Sequence, residues 1–456
     1  MMHITVPSFT KSTDFTHEVF NIYINGAYHC QVRYSAVHGL HKSICQNVSA
    51  QVIARLCDFP PKHLLKNLSF QQLTDRRLGL QKYLQSVVQT PATATHPLVL
   101  NFFLNSQVSS YKNAPSSCTL SILLPNGRPG CDIECDVSKS TNAVISLICH
   151  KLDIDANNAK RFAIFIVDDV GTRSCSYLKW LQDYESPWVA LQLLKDACDE
   201  AGRSNDLRII IQKCCWDLTI EQRLLDDTGA TKVLFAHASW HVNCGLLEVP
   251  ANVLQRLRSL QQQQSCKQYV QLCQTQSSYG FVHLDRCVSD YPRPSTSVDV
   301  RVGQRKLVMS YIDPNTNEQA TSVFRATRIR VWRIVSKAED STTTMQFEFE
   351  YLLARDHFEW ICLQTEQAAL LSQCLQSIGS EIMGDRQGDV NASAVIVNGA
   401  AGTSSPSASS PTQPTSNSTI NSAYESLSQV LTRTRVTNGS NSAAAAVFDH
   451  ITDDDL

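Results

Sequence analysis

The chain has no excess of charge of either sign: 40 Lys and Arg against 42 Asp and Glu leave a net charge of -2 over 456 residues. That argues against bulk binding of nucleic acid, which depends on many phosphate contacts, so any anion site has to be a local cluster. Long apolar runs are also missing. Nothing approaches the roughly 18 residues of a membrane span, and residues 1–20 lack the apolar core of a signal peptide. The 17 cysteines never fall at Cys-x-x-Cys spacing, which removes the usual zinc and dithiol motifs and points to reduced thiols in a cytosolic setting. No Gly-x-Ser-x-Gly, Walker or dinucleotide fingerprint occurs. What remains, 43% hydrophobic and 18% charged residues, is the composition of an ordinary soluble protein, long enough for roughly two to four domains.

Two fragments of possible chemistry are weaker than they look. Cys287 and Arg293 have the Cys-x5-Arg spacing of a phosphatase, but the intervening Val-Ser-Asp-Tyr-Pro has no glycine, and its proline lacks an amide donor for a phosphate. His237 and His241 lie at i and i+4, yet Ala238 to Trp240 between them contain no carboxylate to serve as base or third ligand. A satisfied histidine pair is the better reading. No catalytic residue, metal ligand or cofactor is expected.

The stretch from Arg33 to Arg76 stands out instead. Residues 19–24 and 27–34 alternate around Asn25-Gly26, a pair suited to a tight hairpin turn, and the second strand's parity puts Arg33 on its polar face beside Tyr34 and Ser35. Pro60-Pro61 then enforces an extended backbone, followed by Lys62 and a segment that mixes bases with leucines. Lys62 and Lys66 suit anionic lipid at roughly 1 kcal/mol per basic residue, while Leu64 and Leu65 either dip among acyl chains or pack under the next helix. That helix is predicted over 72–88, burying Leu80, Tyr83, Leu84, Val87 and Val88 and leaving Arg76 and Arg77 free to project.

These residues resemble a PX domain of the sorting-nexin type. The resemblance implies that Arg33 pairs with the 3-phosphate of phosphatidylinositol 3-phosphate and that Tyr34, followed by Ser35, stacks under the inositol ring. It implies further that Lys62 reaches the 1-phosphate and that Arg76, seven residues before Tyr83, holds ring hydroxyls. The chemistry behind it is bidentate guanidinium on phosphate in a small basic pocket.

Past residue 110 the pattern changes three times. Leu120, Ile122 and Leu124 alternate up to Pro125-Asn126-Gly127, and Ile133, Cys135 and Val137 follow. A helical spacing at Val144, Leu147, Ile148 and Leu152 then completes a ubiquitin-like opening, with further strands at 161–167 and 207–213. After Trp216 the chain reads as all helix. From Tyr279 strands return, with Phe347, Phe349 and Tyr351 on one face. Trp332 shares parity with Arg328 and Arg330, which predicts its ring on the polar side, covering a sheet edge or waiting for a ligand. A closing helix is predicted over 365–383.

The succession resembles a FERM module, and PX followed by FERM resembles one subfamily of sorting nexins, through Val32-Arg33-Tyr34-Ser35, Phe59-Pro60-Pro61-Lys62, Trp216-Asp217, Tyr279-Gly280, Val331-Trp332-Arg333, Phe349-Glu350-Tyr351-Leu352 and Cys374-Leu375-Gln376-Ser377. The fold class this implies is α+β multidomain: a PX domain (1–110, three-stranded sheet plus helices), then ubiquitin-like (115–205), all-helical (206–273) and PTB/PH-like (274–385) FERM lobes. In the family a receptor tail with an Asn-Pro-x-Tyr motif adds as an antiparallel strand beside the tryptophan strand and packs on the last helix. That assigns cargo binding to Val331, Trp332, Arg333, Ile378, Gly379 and Met383. Gly379 stands where the family has valine, which removes apolar contact and costs up to about 1 kcal/mol of helix propensity.

Residues 386–446 are dominated by Ser, Thr, Asn, Ala, Gly and Pro, the composition of a disordered linker. The closing 447–456 segment puts Phe448 and Ile451 before Asp453, Asp454, Asp455 and Leu456. It is similar to a family terminus that docks onto the Retriever/Commander complex, with the leucine in a pocket and the acids on a basic groove. The resemblance thus implies a monomeric, cytoplasmic adaptor, not an enzyme, peripheral on early endosomes, that recycles cargo to the plasma membrane. A Ras-like small GTPase is a further partner by family analogy, with no site marked in 115–205. The alternative, a FERM-type membrane-to-cytoskeleton linker or GTPase-binding scaffold, calls for a basic actin-binding tail where this tail is acidic.

Overall fold

Asn25 and Gly26 both take positive φ, 54° and 84°, so the predicted hairpin closes as a tight turn whose twist matches its strands. In the computed structural model, which describes residues 2–12, 17–62, 68–203, 206–313, 316–339, 342–355 and 357–398, this turn joins β3 (Glu18–Ile24) to β4 (Ala27–Arg33). The short β1 (Ile4–Thr5) and β2 (Phe9–Lys11) both pair with the other side of β3, giving a sheet three strands wide. Helices α1 (Tyr34–Asn47), α2 (Ala50–Ile53), α3 (Phe70–Gln89), α4 (Pro91–Ala94) and α5 (Pro97–Ser110) cover it. A reciprocal capping box between Ser69 and Gln72 starts α3.

One expectation about β4 fails. His29, which shares the parity of Arg33 and so belongs to the predicted polar face, is buried, its Nε2 within 3.1 Å of the Phe103 carbonyl and its ring against Phe103 and Tyr184. The second face of this short sheet is covered where α5 and the next lobe lie across it.

The next sheet contains β5 (Ser117–Leu123), β6 (Pro129–Asp136), β7 (Phe162–Asp168), β8 (Ser176–Trp180) and β9 (Arg208–Lys213), with α6 (Thr141–Lys151) and α7 (Pro187–Glu200). Strand order is β6-β5-β9-β7-β8, with β5 and β9 parallel. Because β9 pairs with both β5 and β7, this sheet runs past the boundary predicted at 205. Its β7 reads Phe-Ala-Ile-Phe-Ile-Val, a continuous apolar run buried on both faces. Ile164 and Ile166 join a core shared with the helical lobe, while Ala163, Phe165 and Val167 join a core shared with the last lobe.

The helical lobe is α8 (Leu218–Leu224), α9 (Thr228–Asn243), α10 (Ala251–Gln262) and α11 (Cys266–Gln274). At Gly229 the start of α9 presses on the loop after α6 so closely that a Cβ would sit 2.3 Å from the Asp153 carbonyl oxygen. Between the lobes, Glu221 accepts from Lys213, from the Tyr279 hydroxyl and from Gln274 Nε2 at 3.2 Å, a buried charge held by three donors.

The last lobe is a sheet of eight strands: β10 (Val282–His283), β11 (Cys287–Ser289), β12 (Thr296–Gly303), β13 (Lys306–Ile312), β14 (Gln319–Arg325), β15 (Ile329–Glu339), β16 (Thr342–Ala354) and β17 (His357–Gln364). Their order is β14-β13-β12-β11-β17-β16-β15, with β10 also on β12, so β15 is an end strand. Helix α12 (Ala368–Asn398) closes the core. It continues beyond both the predicted end at 383 and the linker start at 386; the first proline after Ala368 is Pro406.

The helix also joins the lobes. The Glu381 carboxylate accepts from the Trp216 amide at 3.0 Å and approaches Arg305 at 3.4 Å and Arg161 at 3.5 Å, while Ser377 Oγ accepts from Trp216 Nε1 at 2.9 Å. The PX domain docks on the ubiquitin-like lobe through Gln107, whose Oε1 accepts from the Ser186 amide at 2.8 Å in a buried setting, and through the ring pair Tyr111 and Trp188. Among the described residues no helix is long and apolar enough to cross a membrane.

Several imidazoles are enclosed by this packing. Burial lowers His29 to about 3 and His283 to about 4, and His237 and His241, whose rings lie 4.1 Å apart, well below the ordinary value. Their folded values are depressed, so the unfolded chain binds more protons, and the neutral-state stability present above about 6.5 is lost as pH falls toward the folded values. Between pH 7.5 and pH 5.5 each imidazole should cost about 1 kcal/mol, read as a lower denaturation midpoint. A midpoint unchanged over that interval would contradict their burial in the neutral form.

Candidate functional site

Two surfaces collect the residues singled out in the sequence. The first lies where β4 runs into α1. Arg33 is exposed and is the N-cap of α1, whose first turn carries neither a side-chain cap nor an acidic residue. A cation therefore sits beside backbone amides of a helix start, the ordinary makings of an anion site. Tyr34, placed in a strand by the sequence pattern, is instead the first helical residue.

Three elements converge on the Tyr34 ring. Its hydroxyl donates to the Pro60 carbonyl at 2.8 Å, which fixes the Pro60-Pro61-Lys62 turn against α1. The Arg76 guanidinium lies over the ring at 4.3 Å, and Phe59 packs beside it at 5.5 Å. Gly79 on α3 makes room for this turn, since a Cβ there would meet the Pro60 side chain at 2.9 Å. Burial raises the Tyr34 phenol and lowers Arg76, while the guanidinium opposes the shift of its partner. Arg76 Nε is buried and has no hydrogen-bond partner among the described residues, a donor left open.

Arg77 is a different case. Predicted to project freely, it donates to the Val6 carbonyl at 2.6 Å and ties α3 to the N-terminal strand. Ser35 and Lys62 are exposed at the rim. Leu64, Leu65 and Lys66 lie outside the described residues.

The sequence reading missed the layer beneath. Tyr34, His38 and His41 fall at i, i+4 and i+7 once the helix is known to begin at Tyr34. They stack with Phe59 and Tyr83, the His41 and Phe59 rings at 4.7 Å and His41 Nδ1 3.0 Å from the Tyr83 hydroxyl. That spacing was the available signal. Burial, then neighbouring His38, lowers the His41 imidazole.

The second surface is the free edge of β15. Here the parity argument for Trp332 is overturned. A bulge leaves Arg330 unpaired between the Ile329–Tyr351 and Val331–Glu350 pairs, which shifts the following residues by one and turns Trp332 inward. The ring is 6% exposed and its Nε1 donates to Ser372 Oγ of α12 at 3.0 Å. Ile378 is fully buried beside it.

Both arginines of this strand are held by the opposite face. Arg330 makes two hydrogen bonds of 2.6 Å to Glu350 and lies 4.3 Å from the Phe358 ring, and Arg333 pairs with Glu348 and lies 4.5 Å from Trp360. Half-buried Gly379 and Met383 remain at the surface of α12, while half-buried Val331, paired with Glu350, lies on the arginine face of the edge strand. Phe448, Ile451, Asp453, Asp454, Asp455 and Leu456 lie outside the described residues.

The fragments of possible enzyme chemistry are accounted for as structure. Cys287 belongs to β11, and burial, followed by the Asp299 and Asp285 carboxylates, pushes its thiol up to about 12, far from a thiolate at neutral pH. His237 and His241 are core residues of α9, and among the described residues no group of His, Cys, Asp and Glu is arranged to hold a metal.

Comparison with known proteins agrees with this architecture. Family profiles described as PX domain, as the F1 lobe of the sorting nexin 17/27/31 FERM domain and as the sorting nexin 17 FERM C-terminal domain match residues 20–106, 118–216 and 280–383. Sorting nexin-17 of Danio rerio is 30% identical over 403 residues, covering 85% of this chain and 82% of that protein.

The chain belongs to the sorting nexin family. Human sorting nexin-17 is 29% identical over 85% of this chain and 83% of its own length, and human sorting nexin-31 is 24% identical over 84% and 86%. As a PX-FERM sorting nexin the protein is an endosomal sorting adaptor that associates peripherally with membranes.

For this sorting nexin the inward Trp332 changes what its replacement should do. Trp332→Ala should lower the unfolding midpoint by the equivalent of about 3–5 kcal/mol, and Trp332→Phe, which keeps most of the packing but loses the Ser372 hydrogen bond, by about 1–2 kcal/mol. Thermal unfolding of both variants checks this; a midpoint unmoved by Trp332→Ala would return the ring to the surface.

Proposed function

We propose that the PX pocket binds phosphatidylinositol 3-phosphate, that the β15 edge takes receptor tails of the Asn-Pro-x-Tyr type, and that the C-terminal residues engage the Retriever/Commander complex. The observation that carries the reading is the Arg76 guanidinium over Tyr34, its Nε unpartnered, beside the exposed Arg33 at the uncapped start of α1. Arg33 supplies forked donors to the 3-phosphate, the first amides of α1 supply more, and Arg76 holds ring hydroxyls. Lys62, positioned by the bond between Tyr34 and Pro60, adds a point charge at the rim on the membrane side, with Leu64, Leu65 and Lys66 next in the chain.

On the third lobe the affinity would come from backbone hydrogen bonds along β15, with Gly379 and Met383 lining the groove from α12 and Val331 and Arg333 on the outer face of the edge. Trp332 and Ile378 support this groove from within rather than touching the peptide. Gly379 leaves a shallow place in the helix face, which favours a peptide that presents a larger apolar group there. The tail reading draws on residues 447–456, whose Leu456 carboxylate and three aspartates suit a basic groove.

Each interaction alone is modest, and a single chain that engages membrane, receptor tail and recycling machinery together gains through effective concentration. Arg33 is exposed, so Arg33→Ala should remain folded and lose flotation with liposomes containing phosphatidylinositol 3-phosphate by about tenfold or more. Undiminished flotation would remove the lipid assignment. Deleting Leu456 from the full chain should abolish pull-down of Retriever while leaving liposome flotation intact; persistent pull-down would count against the tail.

A further inference from the structure

The PX hairpin turn touches the third lobe. A Cβ built on Gly26 would lie 3.0 Å from the Met345 methyl carbon, although residue 26 is otherwise exposed. Met345 is the Cα partner of Ser336 on β15, and its carbonyl accepts from Thr365 just before α12 begins. The turn therefore stands at the Ser336 end of the edge strand.

The direction of a bound strand follows from two contacts. Trp332 meets Ser372, and Met345, level with Ser336, meets Thr365, so α12 runs opposite to β15, its start at the Ser336 end and Gly379 and Met383 toward the Ile329 end. A peptide added antiparallel to β15 would have its C-terminal part at the Ile329 end, near Gly379 and Met383. Its N-terminal part would run toward Ser336 and the PX turn. From Val331 to Ser336 the strand advances about 17 Å, so the chain would meet the turn about five residues before the part that packs on the helix.

We propose that the Asn25-Gly26 turn of the PX domain forms the end wall of the receptor-tail groove and contacts residues N-terminal to the Asn-Pro-x-Tyr motif. This rests on the peptide reading of β15. The wall is rigid: Asn25 exchanges two 2.8 Å hydrogen bonds with the His3 backbone, one through Oδ1 and one through its own amide. Beside it the Met345 methyl offers an apolar shelf, so the segment that fits carries an apolar residue in its flank. Gly26 keeps the wall low, because any side chain there would be driven onto Met345.

Calorimetry on the intact chain tests this with two receptor-tail peptides, one beginning about two residues before the motif and one about eight residues before it. The longer peptide should bind at least about threefold tighter, and Gly26→Asn should bring it down to the short peptide's affinity while moving the short peptide by less than about 1.5-fold. Asparagine tolerates the positive φ of position 26, and unchanged liposome flotation would show the PX domain intact. Equal effects on both peptides, or none on either, would overturn the proposal. Independently, a photo-crosslinking residue about five positions before the motif should label residues 23–28 of the wild-type chain, and labelling confined to the third lobe would overturn it too. Failure of the short peptide to bind wild-type protein would instead remove the strand-addition reading, and the end wall with it.

Discussion

The arrangement of the FERM lobes depends on one buried carboxylate. Glu381 of α12 accepts from the Trp216 amide at the start of the helical lobe and is flanked by Arg161 from the ubiquitin-like lobe and Arg305 from the third. Burial alone would raise its proton affinity, and the amide and two guanidinium groups oppose that. Such a group is costly to leave unpaired, so the lobes that supply its partners are held in one relation to α12. The same helix lines the proposed receptor groove, which makes the groove a property of the assembled module rather than of the third lobe alone.

Burial of β7 on both faces acts in the same direction. Most half-exposed strands alternate, but Phe162 to Val167 are all buried because α6, backed by the helical lobe, covers one face and the third lobe the other. Separation of the third lobe would expose Phe165 and Val167 together with Tyr177 and Trp240. Hydrophobic burial at these interfaces is non-directional; the Glu381 and Glu221 networks supply the orientation.

Local signals were read correctly from the sequence where the chemistry was local. Asn25-Gly26 announced its hairpin, the apolar spacing of Leu80 to Val88 announced α3, and the order of the family motif singled out Tyr34 and Arg76, whose guanidinium lies over the ring. What could not be read was set by distant parts. His29 is buried by α5 and Tyr184, which no strand pattern contains. Trp332 was misplaced because a single unpaired residue, Arg330, reverses parity; upstream Ile329 and downstream Ile334, both apolar and buried, are the local signs of the shift. The boundary at 205 failed for a topological reason: β9 follows α7 in sequence but inserts between β5 and β7.

These corrections alter how lipid and receptor binding relate. Were the PX domain joined to the FERM lobes by a flexible linker, the two sites would be coupled only by effective concentration. Instead Gln107 and Ser186 share a buried hydrogen bond, the Tyr184 ring meets His29, and Gly26 abuts Met345. Through β4 the hairpin turn and Arg33 are two ends of one strand, seven residues from Ala27 to Arg33. A head group held at Arg33 and a peptide running along β15 toward Gly26 would therefore be referenced to the same strand. Docking on the membrane would fix the direction from which a receptor tail enters, so that the geometry of the PX domain restricts which membrane-anchored tails can reach the groove.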